Sequence, residues 1–139
     1  MKFNDRIIAK LDQMKQYLTE LGGILPDTVD EYMESLKIRR ACEKTIELAI
    51  ETVIDVISGV IAEKRLGVPS SEESIIQIAQ KNKMLSIALA KKIQEMKGFR
   101  NVLVHKYGEV DDERVYTYLS EELEDFEVFE REIVKFLKM

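Results

Sequence analysis

From about Val29 to Lys64 the chain carries a single helical periodicity that is apolar over most of its circumference, and no other segment limits the possible architecture as tightly. Ile38, Cys42, Ile46, Ala49, Val53, Ile57 and Val60 recur at helical spacing and share one face. Leu48, Ile50, Ile54, Val56 and Ile61 widen that face beyond what one antiparallel neighbour can cover, so the helix needs partners on more than one side. Unbroken, it is about 50 Å long at 1.5 Å per residue, against roughly 35–40 Å for a compact globule of this chain length. The expectation is an elongated monomer with apolar surface to spare, relieved by a twofold dimer that shares it. A kink near Gly59 is a competing account of part of the mismatch. Gly67-Val68-Pro69 closes the segment.

The rest of the chain is also helical in pattern. Ile7, Leu11, Met14, Leu18 and Leu21 define a first helix that Gly22-Gly23 is expected to stop, before a turn containing Pro26. Ser70 and Ser71, followed by Glu72-Glu73, cap a third helical stretch. Polar residues from Gln80 to Lys83 interrupt it, and Ser86 is placed to cap a fresh piece carrying Leu89, Ile93 and Met96 that ends at Gly98. Asp111 caps a last helix, with Asp112 and Glu113 at its positive end and Val110 and Val115 as a hydrophobic staple. Val115, Leu119, Phe126, Phe129, Ile133 and Phe136 give it a buried face. The reading is all-α, an up-and-down bundle of four to five helices in one domain over residues 1–139.

A formal net charge of -5 argues against a protein that coats nucleic acid by bulk electrostatics, while leaving a local basic site open. The first residues lack the pattern of a secretory signal, and no apolar run approaches the roughly 20 residues that cross a bilayer, so a cytoplasmic location without membrane contact is expected. Cys42 is the only cysteine and sits on an apolar stripe, which reads as a buried, inert thiol rather than a nucleophile. A single Cys and a single His make a protein-only zinc site within one chain implausible; counting leaves carboxylate-only metal sites open, and the reading carries no metal or cofactor. Glu43, Glu47, Glu51 and Asp55 form an acidic ladder, ordinarily a solvated face; the alternative is that one or two of them touch the segment that carries chemistry.

That segment is Gly98-Phe99-Arg100-Asn101-Val102-Leu103-Val104-His105-Lys106-Tyr107-Gly108. Each polar residue has an ordinary meaning: His105 as a structural hydrogen-bonding group, Arg100 paired to a carboxylate of the long helix, Lys106 in solvent, Tyr107 in the core with a wet hydroxyl, Asn101 capping a turn. If the helix continues or restarts here, Arg100 and His105 lie within about one and a half turns and can point into a common cleft, while Val102 and Leu103 anchor the backbone.

The string Arg-Asn-Val-Leu-Val-His-Lys-Tyr, late in a four-helix chain, resembles the signature of HEPN domains, and more narrowly that of the HepT family of ribonuclease toxins. The family motif is an Arg, four residues, a His, one residue and a Tyr, and Arg100, His105 and Tyr107 match it without insertion. The resemblance implies a homodimeric helical bundle whose two motif segments face each other across a shared cleft. It also implies metal-independent cleavage of RNA, and a partner of the minimal nucleotidyltransferase (MntA-like) type that adds AMP to the motif tyrosine, here Tyr107.

These residue types suit that chemistry. Cleaving RNA without metal needs a base for the 2′-hydroxyl proton, an acid for the departing 5′-oxygen and positive charge for the phosphorane between them. Imidazole titrates near neutrality and serves in either proton-transfer role, and guanidinium stays charged and holds two phosphate oxygens at once. His105 is therefore the candidate acid or base and Arg100 the candidate transition-state clamp, with Asn101 and Lys106 orienting phosphate. The rival reading is a non-catalytic module that docks the nucleotidyltransferase or holds a nucleotide with the same residues.

Overall fold

The long apolar segment breaks once, at Ser35. In the computed structural model, which describes residues 2–105 and 110–139, Ser35 takes an extended conformation (φ -121°, ψ 106°) and its hydroxyl accepts the Ile38 N–H, so that α2 (Val29–Glu34) ends and α3 (Leu36–Lys64) begins. Thr28 caps α2 in the same way through the Glu31 N–H. The break lies at this cap, and α3 runs through Gly59 as one helix. At 29 residues it is about 43 Å long.

α3 is the axis of the fold. It packs most extensively on α1 (Phe3–Ile24), and also on α2, α4 (Glu72–Lys81) and α5 (Ile87–His105). Ile46, Ala49, Ile50, Val53, Val56, Ile57 and Val60 are fully buried within the single chain. This corrects the expectation of apolar surface left over on the long helix: its wide apolar circumference is covered by four helices of its own chain. α6 (Asp112–Glu121) leans on α2 and α7 (Glu124–Phe136) on α5. No strand occurs among the described residues, and none of the helices is long and apolar enough to cross a membrane.

Helix starts follow local side-chain chemistry. Ser71 and Ser74 form a reciprocal capping box at α4, the Ser86 hydroxyl accepts the Leu89 N–H at the start of α5, and Asp111 accepts the Arg114 N–H at α6. Helix stops depart from the glycine pattern. α1 continues through Gly22 and Gly23 and ends at Leu25, which the following Pro26 pushes into an extended conformation. α5 likewise continues through Gly98 to His105. Glycine inside a helix costs about 1 kcal/mol relative to alanine, and here packing further along the helix offsets it: Leu103 is buried, and Phe99 stacks on Tyr118 of α6 at 4.0 Å between ring centroids. The last helical stretch is two helices, broken at Glu122 and Leu123, although the apolar pattern runs through without a gap.

Cys42 is fully buried, and burial, with a smaller contribution from the Glu43 carboxylate, pushes its thiol up to about 11. It is an inert core residue, as its stripe indicates.

Candidate active site

The last two turns of α5 carry Arg100, Asn101 and His105, and three contacts fix their surroundings. The Arg100 side chain is nearly buried, its Nη2 donating to a carboxylate oxygen of Glu72 in the first turn of α4. Its Nε donates to Asn101 Oδ1 at 3.1 Å, and Asn101 is half-buried. Leu103 faces the core, while Val102 and Val104 are about half exposed. His105 closes the helix on the surface. Lys106 and Tyr107 lie outside the described residues.

Because α5 is continuous, helical phase decides where these groups point. Asn101 and His105, four residues apart, are about 40° apart around the axis, on one face; Arg100 and His105, five apart, diverge by about 140°. One chain therefore brings Asn101 beneath His105 and sends Arg100 toward α4. Within a single chain, helical phase alone does not aim Arg100 and His105 into one cleft. The sequence also missed Glu72, read only as a charge at a helix start; it sits 28 positions from Arg100, and no local signal announces the pair. Among the described residues, two N–H groups of the guanidinium are engaged, one by Asn101 and one by Glu72.

The acidic ladder is graded rather than uniformly solvated. Glu43 is buried and pairs with Arg40 at 3.2 Å, Glu47 and Glu51 are half-buried, and Asp55 is exposed. Glu43 and Glu47 line a shallow cavity of about 260 Å³ together with Leu103 and Val104, so the upper end of the ladder does reach the segment that carries chemistry. A second cavity, of about 540 Å³, opens on the other side of that segment between Val102 and Tyr118. Among the described residues, no three His, Cys, Asp or Glu side chains are placed to hold a metal ion.

The described residues form helices gathered around one long central helix, with an arginine and a histidine at the end of another, and this bundle shares its fold with a HEPN toxin. The chain belongs to the Ribonuclease HepT-like family, whose model matches residues 14–133. It is 25% identical to the mRNA nuclease HepT of Shewanella oneidensis over 126 residues, covering 91% of this chain and 94% of that protein. It is 26% identical to the tRNA nuclease HepT of Aphanizomenon flos-aquae over 132 residues, covering 94% and 89%. Among solved structures, the tri-AMPylated Shewanella oneidensis HEPN toxin in complex with its MNT antitoxin superposes with a TM-score of 0.87 at 24% identity, over 96% of this chain and 98% of that one.

Proposed function

We propose that this protein is the toxin of a toxin–antitoxin pair: a cytoplasmic, homodimeric endoribonuclease that works without metal and is silenced when a minimal nucleotidyltransferase adds AMP to Tyr107. The observation that carries this reading is the placement of Arg100, Asn101 and His105 in the last two turns of α5, inside the stretch that matches the family. In the proposed reaction a base takes the 2′-hydroxyl proton, the 2′-oxygen attacks phosphorus, and the P–O5′ bond breaks as an acid protonates the departing oxygen. The products are a 2′,3′-cyclic phosphate and a free 5′-hydroxyl. His105 performs one of the two proton transfers, Arg100 stabilises the charge on the phosphorane, and Asn101 and Lys106 orient the phosphate.

The divergence of Arg100 from His105 on one helix supports a site completed by two copies, since the second imidazole and the second guanidinium supply what one helix cannot aim at a single point. AMP on Tyr107, two residues from His105, would set a phosphate and its bulk where the RNA backbone has to lie, so silencing requires no change of fold.

The test is an RNA digest comparing the parent protein with His105→Ala and Arg100→Ala in the presence of a chelator. Parent cleavage that persists in chelator, a loss of 10²–10⁴-fold in the His105 variant, and survival of DNA of the same sequence are expected. An undiminished rate in His105→Ala overturns the assignment. A second reading has one observation in its favour: Arg100 is already held by Glu72, as a purely structural arginine would be. Under that reading the chain is a binding module that docks the nucleotidyltransferase, and the parent protein leaves RNA intact.

A further inference from the structure

At the opposite end of α5 from His105 lies an open cleft of about 780 Å³. Lys81 and Lys83 line it from the end of α4, and Lys135 and Lys138 from the end of α7, over an apolar floor that includes Phe136 and the three-quarters-exposed Ile87. All four lysines are exposed, and none makes an ion pair among the described residues. The carboxylate that lines the cleft, Glu132, is engaged by other donors: it accepts the Ser86 N–H at 2.6 Å and the Ser86 hydroxyl at 2.9 Å, and so holds the residue that caps α5. Lys83 and Lys138 sit at left-handed positions (φ 60° and 56°) that close α4 and α7, where glycine is the usual residue. Basic groups suit helix C-termini on electrostatic grounds. That does not account for two such ends meeting at one cleft with two further lysines, in a chain whose net charge is -5.

Helical phase connects this cleft to the candidate active site. Ile87 and His105 are separated by eighteen residues, about five whole turns, so they lie on the same line of α5 roughly 27 Å apart. The exposed stripe between them carries Lys91, Gly98 and Val102; Glu95 beside it lies 4.0 Å from Lys92, and Asp111 and Glu122 flank Gly98 and Val102. A polyanion crossing His105 can thus follow α5 straight to the lysines; at about 3.4 Å per stacked nucleotide the span is roughly eight nucleotides.

We infer that the cleft formed by Lys81, Lys83, Lys135 and Lys138 is a second RNA-binding site, which grips the phosphate backbone about eight nucleotides from the bond cut at His105. The inference rests on the ribonuclease reading and extends it: substrate length becomes a determinant of cleavage. Charge complementarity alone would also suit an acidic protein surface, but the continuous stripe to His105 favours a strand.

The experiment replaces all four lysines with Gln, and, as a control for total charge, Lys2, Lys10, Lys37 and Lys64 with Gln in a second protein. Binding of a labelled 20-nucleotide RNA is followed against salt in a His105→Ala background, and cleavage of the 20-mer and of a 4-mer is followed in the active background. Removal of each lysine–phosphate pair makes the slope of log affinity against log salt shallower by about 0.7. The cleft variant should therefore lose about three units of slope and, extrapolating from 1 M salt, on the order of several hundredfold in affinity at 0.1 M. It should cut the 20-mer poorly and the 4-mer as the parent does, with the control near the parent throughout. Equal behaviour of cleft variant and control overturns the inference. So does intact RNA binding with loss of nucleotidyltransferase binding, which would give the cleft to a protein partner. A parent that cuts neither RNA refutes the ribonuclease reading, while the binding measurement still decides the cleft.

Discussion

Replacing Glu72 separates the two meanings of Arg100. In the Glu72→Gln protein the guanidinium keeps its stem, its Asn101 contact and its position on α5, and loses only the carboxylate. The Glu72 side chain is 41% exposed and that of Arg100 11%, so water screens the pair and its worth to stability is held to about 0.2–1 kcal/mol. For a chain of this size that is a fall in Tm of about 1–4 °C. If Arg100 clamps a phosphorane, its removal should slow cleavage by 10²–10³-fold, the cost of deleting one preorganised donor at a developing oxyanion. Glu72→Gln should leave the rate within a few fold of the parent, because the donors not bound to Glu72 are the ones that meet phosphate. Single-turnover cleavage of a fluorophore-quencher RNA, run beside thermal melts of Glu72→Gln, Arg100→Ala and Arg100→Lys, reads both quantities. Arg100→Lys keeps the charge without the fork and should fall between the two. Equal rate losses in Glu72→Gln and Arg100→Ala, with folding intact in both, would refute the clamp and leave the pair as a strut between α4 and α5.

Two further outcomes concern residues away from that pair. Incubation with ATP, magnesium and the cognate nucleotidyltransferase should add adenylyl mass to the parent and none to Tyr107→Phe; modification of the variant would place the acceptor on another tyrosine. The Cys42 thiol, pushed up to about 11 by burial, keeps a proton that the unfolded chain releases near its ordinary value of 9. The folded state then binds more protons than the unfolded state between these values, so stability should fall as pH rises from 9 to 11, by up to about 3 kcal/mol. Denaturant titrations of the parent against Cys42→Ala check it, since the variant should lack this component of the pH slope.

Legible in the sequence was whatever a few neighbouring residues decide. Ser71, Ser86 and Asp111 announce helix starts because a hydroxyl or carboxylate satisfies an N–H three residues on, and the apolar stripes of α1, α3 and α7 announce their buried faces. Gly22 and Gly98 misled because glycine permits a left-handed stop without imposing one; whether the helix continues depends on what packs beyond it, such as Phe99 against Tyr118. Ser35 was hidden inside an unbroken apolar periodicity, although its cap obeys the same rule as the others. The motif residues were legible from their spacing. Their surroundings were not: Glu72 meets Arg100 only because α4 folds back on α5, and Glu43 is buried because the start of α3 passes Leu103.

The correction to α3 changes where a second copy has to be sought. A long helix apolar on several sides calls for a dimer when its cover is sought outside the chain, yet α1, α2, α4 and α5 of the same chain supply that cover. Burial of the core therefore gives no reason for two copies to meet, and the remaining reason is chemical. On a continuous α5, Arg100 and His105 face about 140° apart, so under the proposed dimer a site needing both at one phosphate would draw them from two chains. Val104, about half exposed next to His105 within the motif, is apolar surface that such a dimer would have there. Under the dimer proposed above, dimerisation and catalysis would be one property: a substitution that separates the chains at Val104 should remove the site without touching a catalytic group and leave the fold around α3 intact.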